Sequence, residues 1–318
     1  MKKVLVSGST AYDFLMKYEG NFKDQFPKGN IQQWINMSLL VPELNKTTGG
    51  TGLNICYNLS LLSEESILMS SVGYDFVFDG IVEEKVDLKY VYRDEVDLSA
   101  SAYITSDNSR NQMTWFYPWA MTQAEKSSIA YIKEEVDYAI ISPNKKEAMI
   151  QYVHELFDKS AKVFFDPGQQ ITRFSKEELL PLFGKLAYLI VNQYEYKELQ
   201  EKLEMTGEEL KTKFNKIIVT QGEEGCQIID TESIIHISAI EVSEVVDTTG
   251  AGDAFRAGLI KWLKLGYGWK TSAQIGTILA SYCVQHHGSQ NHFFNLWVVM
   301  EDMKEKFGMN VDLYEGKK

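Results

Sequence analysis

Four short apolar runs, at residues 138–142, 162–166, 187–191 and 216–220, recur from residue 128 onward with helical segments between them. Runs of that length, bounded by turn residues, suit buried strands better than helices. Strand and helix in alternation read as βαβ units, whose crossovers lay down a mainly parallel sheet with helices on both faces. No internal repeat or low-complexity linker interrupts the alternation. The run 3–7, ending in Gly8, and the run 67–72, ending in Gly73-Tyr74-Asp75, add two more strands. The expected fold class is therefore α/β. A chain of 318 residues, 44% hydrophobic, can bury a large core, and residues 1–318 are read as a single domain.

Two stretches fall outside the alternation. Residues 14–46 carry Phe14, Phe22, Phe26, Trp34, Ile35 and Leu39 without helical period. Residues 90–118 alternate, with Ser101, Tyr103 and Thr105 on one parity and Ala102 and Ile104 on the other, and Asp107-Asn108-Ser109 reads as a hairpin turn. Together they are expected to form a small β lid beside the main sheet. The run from Asn111 to Trp119 is dense in aromatics. Half of it is expected to be sheet core, and the rest offers flat faces on which a purine could stack.

The net charge of −12 argues against nucleic acid or an anionic membrane as the main partner. Cys56, Cys226 and Cys283 are widely spaced and form no CxxC pair. They are expected to be free, buried thiols in a reducing compartment. The N-terminus reads as a strand rather than a signal peptide, and no stretch approaches the ~18 apolar residues of a membrane span. A cytoplasmic protein is expected.

The stretch from Val246 to Gly258 carries the chemistry. It reads as a strand end, a turn at Gly250 and Gly252, and a helix with Phe255, Leu259, Trp262 and Leu263 on its buried face. The first N–H groups of such a helix lack intrahelical partners and, with the helix dipole, form an anion site. Asp253 stands in the same turn. Donors aimed at an anion, beside a carboxylate able to take a proton, are what phosphoryl transfer to a hydroxyl requires. The alternative is a plain turn with an acidic residue favouring the dipole.

Other candidates follow from position. Asp13 lies beyond the first strand, where ligands sit in open parallel sheets, and could accept hydrogen bonds from a polyol or merely make a turn. Residues 48–54 are a glycine-rich loop entering a helix. They fit neither the dinucleotide fingerprint, since Ile55 stands where a third glycine is needed, nor the Walker A loop. Asn192 and Glu195 share a helical face or form a capping box, and both readings can hold together. Gly222 permits close backbone approach, whereas Gly225 suits a plain hairpin turn. His286 and His287 lack the spacing of a zinc pair.

Asp247-Thr248-Thr249-Gly250-Ala251-Gly252-Asp253-Ala254-Phe255 resembles the C-terminal signature of the ribokinase-like (PfkB) family of sugar and nucleoside kinases. Gly49-Gly50-Thr51-Gly52-Leu53-Asn54 is similar to its N-terminal signature. Gly73-x-Asp75 and Asn192-x-x-Glu195 match further family elements, so the likeness runs from Gly8 to about Gln290. It implies ATP as donor, Asp253 as the base, and Gly250, Ala251 and Gly252 as the anion hole. It implies acceptor contacts from Asp13, Gly49, Gly50 and Asn54, joined by Gln112 and Phe116 of the lid. It places the nucleotide near Asn192, Thr220, Gly222, Gly225 and Gly288. It assigns Mg2+, through water, to Glu195 and Asn192, and in some relatives K+ or a similar cation to Asp247 and Thr249. A homodimer through the lid is a further candidate.

The aromatic lid, Asn111-Gln112, Asp166-Pro167-Gly168 with the glutamines after it, and Arg256 resemble the adenosine and nucleoside branch. The expected reaction is transfer to the primary hydroxyl of a nucleoside. A sugar kinase with a ribose-like or fructose-like acceptor and a non-catalytic ligand-binding member are the alternatives. A carboxylate beside a helix N-terminus is expected to have a low pKa, so Asp253 would take the proton late in the transfer.

Overall fold

The structure, a computed structural model, describes residues 2–25, 38–78, 80–109, 111–157, 159 and 161–311. The chain starts in β1 (Lys3–Ser7), leaves it for β2 (Ala11–Lys17) and β3 (Glu43–Gly49), and enters α1 (Thr51–Leu61). Next come β4 (Ser66–Met69), β5 (Ser71–Val72), α2 (Gly80–Lys85), β6 (Val86–Asp87) and β7 (Tyr92–Arg93). A hairpin of β8 (Ala100–Ser106) and β9 (Gln112–Tyr117) follows. The regular part then runs β10 (Val136–Ile141), α3 (Lys146–Phe157), β11 (Lys162–Phe165), α4 (Lys176–Phe183), β12 (Tyr188–Asn192), α5 (Gln193–Leu203), α6 (Gly207–Leu210) and β13 (Lys216–Thr220). β14 (Cys226–Ile229) and β15 (Ile234–Ile237) precede the last three helices, α7 (Ala251–Lys264), α8 (Trp269–Cys283) and α9 (Leu296–Phe307).

Nine strands form the main sheet in the order β15-β14-β13-β12-β11-β10-β1-β4-β6. Those from β13 to β6 are parallel, and β14 and β15 add an antiparallel edge. Their sequences are apolar throughout because both faces are covered. Leu5, Ile141 and Phe165 pack beneath α3, α4 and α5, while Val6, Ile140 and Phe164 pack beneath α1 and α7. The expected α/β class is what the chain adopts.

The strand order reverses between β1 and β10, which makes that point the crevice for ligands. The chain leaving β1 is fixed there: Gly8 N–H donates to the Met69 carbonyl at 3.3 Å and Ser9 N–H to the Pro143 carbonyl at 2.9 Å. The start of α1 is pressed onto this exit. A Cβ on Gly52 would lie 2.8 Å from the Gly8 carbonyl carbon. α7 packs against α1 and α8, so three helix ends meet near the same crevice.

A second sheet, β3-β2-β8-β9, stands beside the first. Three local expectations change here. The run 67–72 is not one strand: it breaks at Ser70, whose carbonyl accepts from Tyr92 N–H, and β5 pairs with β7 in a separate ribbon. Val246 and Asp247 are not a strand end, because their amides turn to the Val284 carbonyl at the end of α8. The aromatic run is not half buried. β9 is an edge strand with Trp115 56% and Phe116 45% exposed. Phe26, Trp34 and Ile35 lie outside the described residues. The three cysteines are free and buried. Among the described residues no helix is long and apolar enough to cross a membrane.

Candidate active site

α7 begins at Gly250, whose φ of 83° and ψ of −6° place it in the left-handed region that glycine tolerates. A side chain is excluded in any case, since a Cβ would stand 2.6 Å from Ser289 Cβ. Ala251 N–H donates to the Thr248 carbonyl at 3.3 Å, and Asp253 N–H to the Gly250 carbonyl at 3.0 Å. Among the described residues the amides of Gly250 and Gly252 meet no acceptor. The tip therefore presents donors outward, with Asp253 in the same first turn.

The Asp253 carboxylate is buried and held from two sides. Asn54 Nδ2, from α1, donates to its Oδ2 at 2.9 Å. Arg256 Nη1, one turn along α7, lies 4.0 Å from its Oδ1. The same guanidinium donates through Nη2 to Asp166 at 2.6 Å, and Asp166 also accepts from Ser142 Oγ at 2.9 Å. Burial pushes the Asp253 pKa up to about 6, against the pull of Arg256 and Asn54. The expected low value is overturned. The helix tip favours the anion, but removing a carboxylate from water costs more.

Asp13 faces this carboxylate from the other sheet. It lies within β2, not in a turn after β1, and its carboxylate packs on Gly49, where a Cβ would come within 2.1 Å of Oδ2. Its pKa is pushed up to about 7, first by burial and then by the charges of Asp253 and Asp247. The two acids thus share one poorly solvated space, in which the charge of Asp253 disfavours ionisation of Asp13. Asp13 pairs with Ala102, and Ala102 with Phe116, so Phe116 occupies the same sheet face as Asp13. Gln112 shares that face but lies roughly 13 Å farther along β9. Trp115 pairs with Tyr103 on the opposite face, where Tyr103 stacks on Phe14 at 4.7 Å.

At the C-terminal ends of β12 and β13, Asn192 is in register with Thr220. Asn192 Oδ1 accepts from Glu195 N–H and Glu195 Oε2 accepts from Asn192 N–H, each at 2.8 Å, so the capping box is formed. The box leaves Glu195 Oε1 available. Burial, then Asp166, raises the Glu195 pKa, while the Asn192 amide and Arg256 lower it. Gly222 has a φ of 59° and open space where a Cβ would be. Gly225 is required by packing, for its Cβ would stand 2.0 Å from the Ile237 carbonyl oxygen. Asp247 accepts from Thr249 N–H and Gly288 N–H, each at 2.9 Å, and so ties the loop after α8 to the tip of α7. His286 and His287 are exposed, and among the described residues no cluster of three or more acidic, histidine or cysteine side chains is arranged to hold a metal. Mg2+ needs only one or two carboxylates when phosphate oxygens and water complete its shell, and Glu195 Oε1 fits that demand.

Four further side chains stand beside these candidates without a contact to them having been read from the sequence. Arg256 follows Asp253 by three positions, a spacing that pairs charges on a helix. Asp166 ends β11. Ser289 and Gln290 bind Asn54 from the far end of the chain, and no local pattern links them to it.

The frame and its crevice place the chain in a known class. It belongs to the pfkB family of carbohydrate kinases, whose profile matches residues 1–294, and it is accordingly a phosphotransferase acting on a hydroxyl group. A nucleoside kinase of Methanocaldococcus jannaschii is 28% identical over 92% of this chain and 93% of its own. The structure of a Burkholderia thailandensis nucleoside kinase in complex with inosine has a TM-score of 0.88 at 30% identity, covering 96% of this chain and 99% of that one. The M. jannaschii nucleoside kinase structure has a TM-score of 0.85 at 27% identity, over 96% and 99%.

Proposed function

We propose that the protein is an ATP-dependent kinase that transfers the γ-phosphate to the primary 5′ hydroxyl of a nucleoside such as adenosine. The observation that carries this reading is the pair of buried carboxylates, Asp253 at the tip of α7 and Asp13 on the lid, close enough that one raises the pKa of the other. Asp13 takes hydrogen bonds from the ribose, and Gly49, Gly50 and the remaining amide hydrogen of Asn54 line the same side. Phe116, exposed on the Asp13 face, offers a ring to the base, with Gln112 farther out. The similarity to nucleoside kinases, one of them solved with inosine, favours a nucleoside over a free sugar.

With a pKa near 6, Asp253 is ionised at neutral pH and basic enough to take the hydroxyl proton as the oxygen attacks. The Gly250 and Gly252 amides, with Ala251 between them, stabilise charge on the phosphoryl oxygens. Asn192, Thr220, Gly222, Gly225 and Gly288 line the nucleotide side. Glu195, with Asn192, holds Mg2+ through water, and bound Mg2+ neutralises the phosphate charge. Asp247 and Thr249 are the residues for a monovalent cation such as K+. The outer face of the lid, with Tyr103 and Trp115 exposed, suits a homodimer contact. The buried thiols suit a reducing cytoplasm. A panel of nucleosides and free sugars with ATP and Mg2+ tests the reading. Transfer to a nucleoside is expected, and turnover of free sugars alone would refute it.

A further inference from the structure

The Asp253 carboxylate is the inner end of a chain of side-chain hydrogen bonds that reaches the lid. Asn54 Nδ2 donates to Asp253 Oδ2 at 2.9 Å. Asn54 Oδ1 accepts from Gln290 Nε2 at 2.8 Å and from Ser289 Oγ at 2.9 Å. Gln290 Oε1 accepts from Thr48 Oγ1 at 2.9 Å. Every group donates inward, toward the one member that, once ionised, can only accept. Thr48 is the register partner of Tyr12, next to Asp13 on β2, so the chain ends on the sheet that carries the second acid.

An asparagine amide can sit either way round. Here the Asp253 carboxylate, which can only accept, sets the choice, and the amide of Gln290 holds it. Turned over, Asn54 would point its amide hydrogens at the Gln290 donor and its carbonyl oxygen at the Asp253 carboxylate. Gln290 is fixed in turn, because its reversal would set its own carbonyl oxygen against Asn54 Oδ1. The inner links are enclosed: Asn54 is 4% exposed and Ser289 0%. The outer link is not, since Gln290 and Thr48 border a cavity of about 440 Å³ shared with Tyr12, Lys46 and Tyr57. The Thr48–Gln290 bond is therefore the link with room to open, while the inner links are enclosed.

We propose that Gln290 is a positioning residue for phosphoryl transfer, orienting Asn54 so that Asp253 is held for the acceptor hydroxyl and linking that orientation to lid strand β3 through Thr48. The inference rests on Asp253 being the base. Gln290→Glu replaces the donor facing Asn54 Oδ1 with an acceptor that competes with Asp253 for the Asn54 amide hydrogens and should loosen the hold on Asp253. Thr48→Val cuts only the outer link, and Thr48→Ser restores it.

The test is single-turnover transfer to adenosine, with the melting temperature and the KM for ATP measured alongside. Transfer should slow on the order of 10-fold in Gln290→Glu, the scale of a lost bond to a charged group. The melting temperature and the KM for ATP should be unchanged. A smaller loss is expected in Thr48→Val, with recovery in Thr48→Ser. Wild-type transfer in both Gln290→Glu and Thr48→Val overturns the inference. So does a slowing in Gln290→Glu that follows a fall in melting temperature while Thr48→Val stays at the wild-type rate. An Asp253→Asn control separates the two readings. If that variant transfers normally, the base assignment itself falls. If it is inactive while Gln290→Glu is normal, only the role of Gln290 is refuted.

Discussion

Replacing Arg256 by Gln should move the acid limb of the pH–rate profile without abolishing the reaction. Arg256 Nη1 lies 4.0 Å from Asp253 Oδ1. At an effective dielectric of about 20, a unit charge at that distance is worth ~4 kcal/mol, or roughly 3 pKa units. Water entering the vacated space recovers part of this, leaving a net rise of about 1 to 2 units. The Asp253 pKa then climbs from about 6 to roughly 7 or 8. The base must be ionised to work, so activity falls as pH drops through this value, and a higher pKa carries the fall into the neutral range. At pH 7 the ionised fraction drops from about 0.9 to between ~0.5 and ~0.1, and activity recovers by about pH 9. The assay is kcat at saturating nucleoside, ATP and Mg2+ from pH 5 to 9. A uniform loss at all pH values, with the limb still near 6, would show that Arg256 does not act through the charge of Asp253.

Two further results are expected. Asp253→Asn should lower turnover at least ~100-fold while raising the melting temperature at pH 8. Both buried acids have folded pKa values above the unfolded range, about 6 for Asp253 and about 7 for Asp13, so their favourable contribution is complete below about pH 4 and is lost as pH rises through those values. The stability advantage of the variant should therefore fall to about half at pH 5 and vanish near pH 3, and an advantage undiminished at pH 3 would refute the account. Phe116→Ala should raise the KM for a purine nucleoside by about 10-fold, the scale of one lost stacking contact, with Trp115→Ala within about two-fold of wild type. The reverse order would mean that the lid presents its other face to the base.

The parallel sheet was legible because β10 to β13 are buried on both faces and therefore continuously apolar. The tip of α7 was legible because a glycine turn followed by an acidic residue is a local pattern. Four features were not local. Asp13 reads as a turn residue until the pairing of β2 with β3 and β8 is known, for nothing in its neighbours shows that a second sheet starts at Ala11. The aromatic run 111–119 has the composition of a core, but an edge strand leaves one side of each ring uncovered. The acidity of Asp253 depends on how deeply three helix ends bury it, which a reading of the first helical turn cannot supply. The Asn54–Gln290 contact spans 236 positions, beyond any sequence pattern.

The chemistry and the choice of acceptor are carried by separate parts. In the proposed function the proton-taking group and the phosphate-facing amides ride on α7, while the surfaces that would judge the incoming molecule belong to the strands of the second sheet. On that reading, changes in β8 and β9, which lie outside the hydrogen-bond chain that starts at Thr48, would alter what is phosphorylated and leave the transfer residues in place. A swap of β8 and β9 between two members of the family would therefore be expected to carry substrate preference with it.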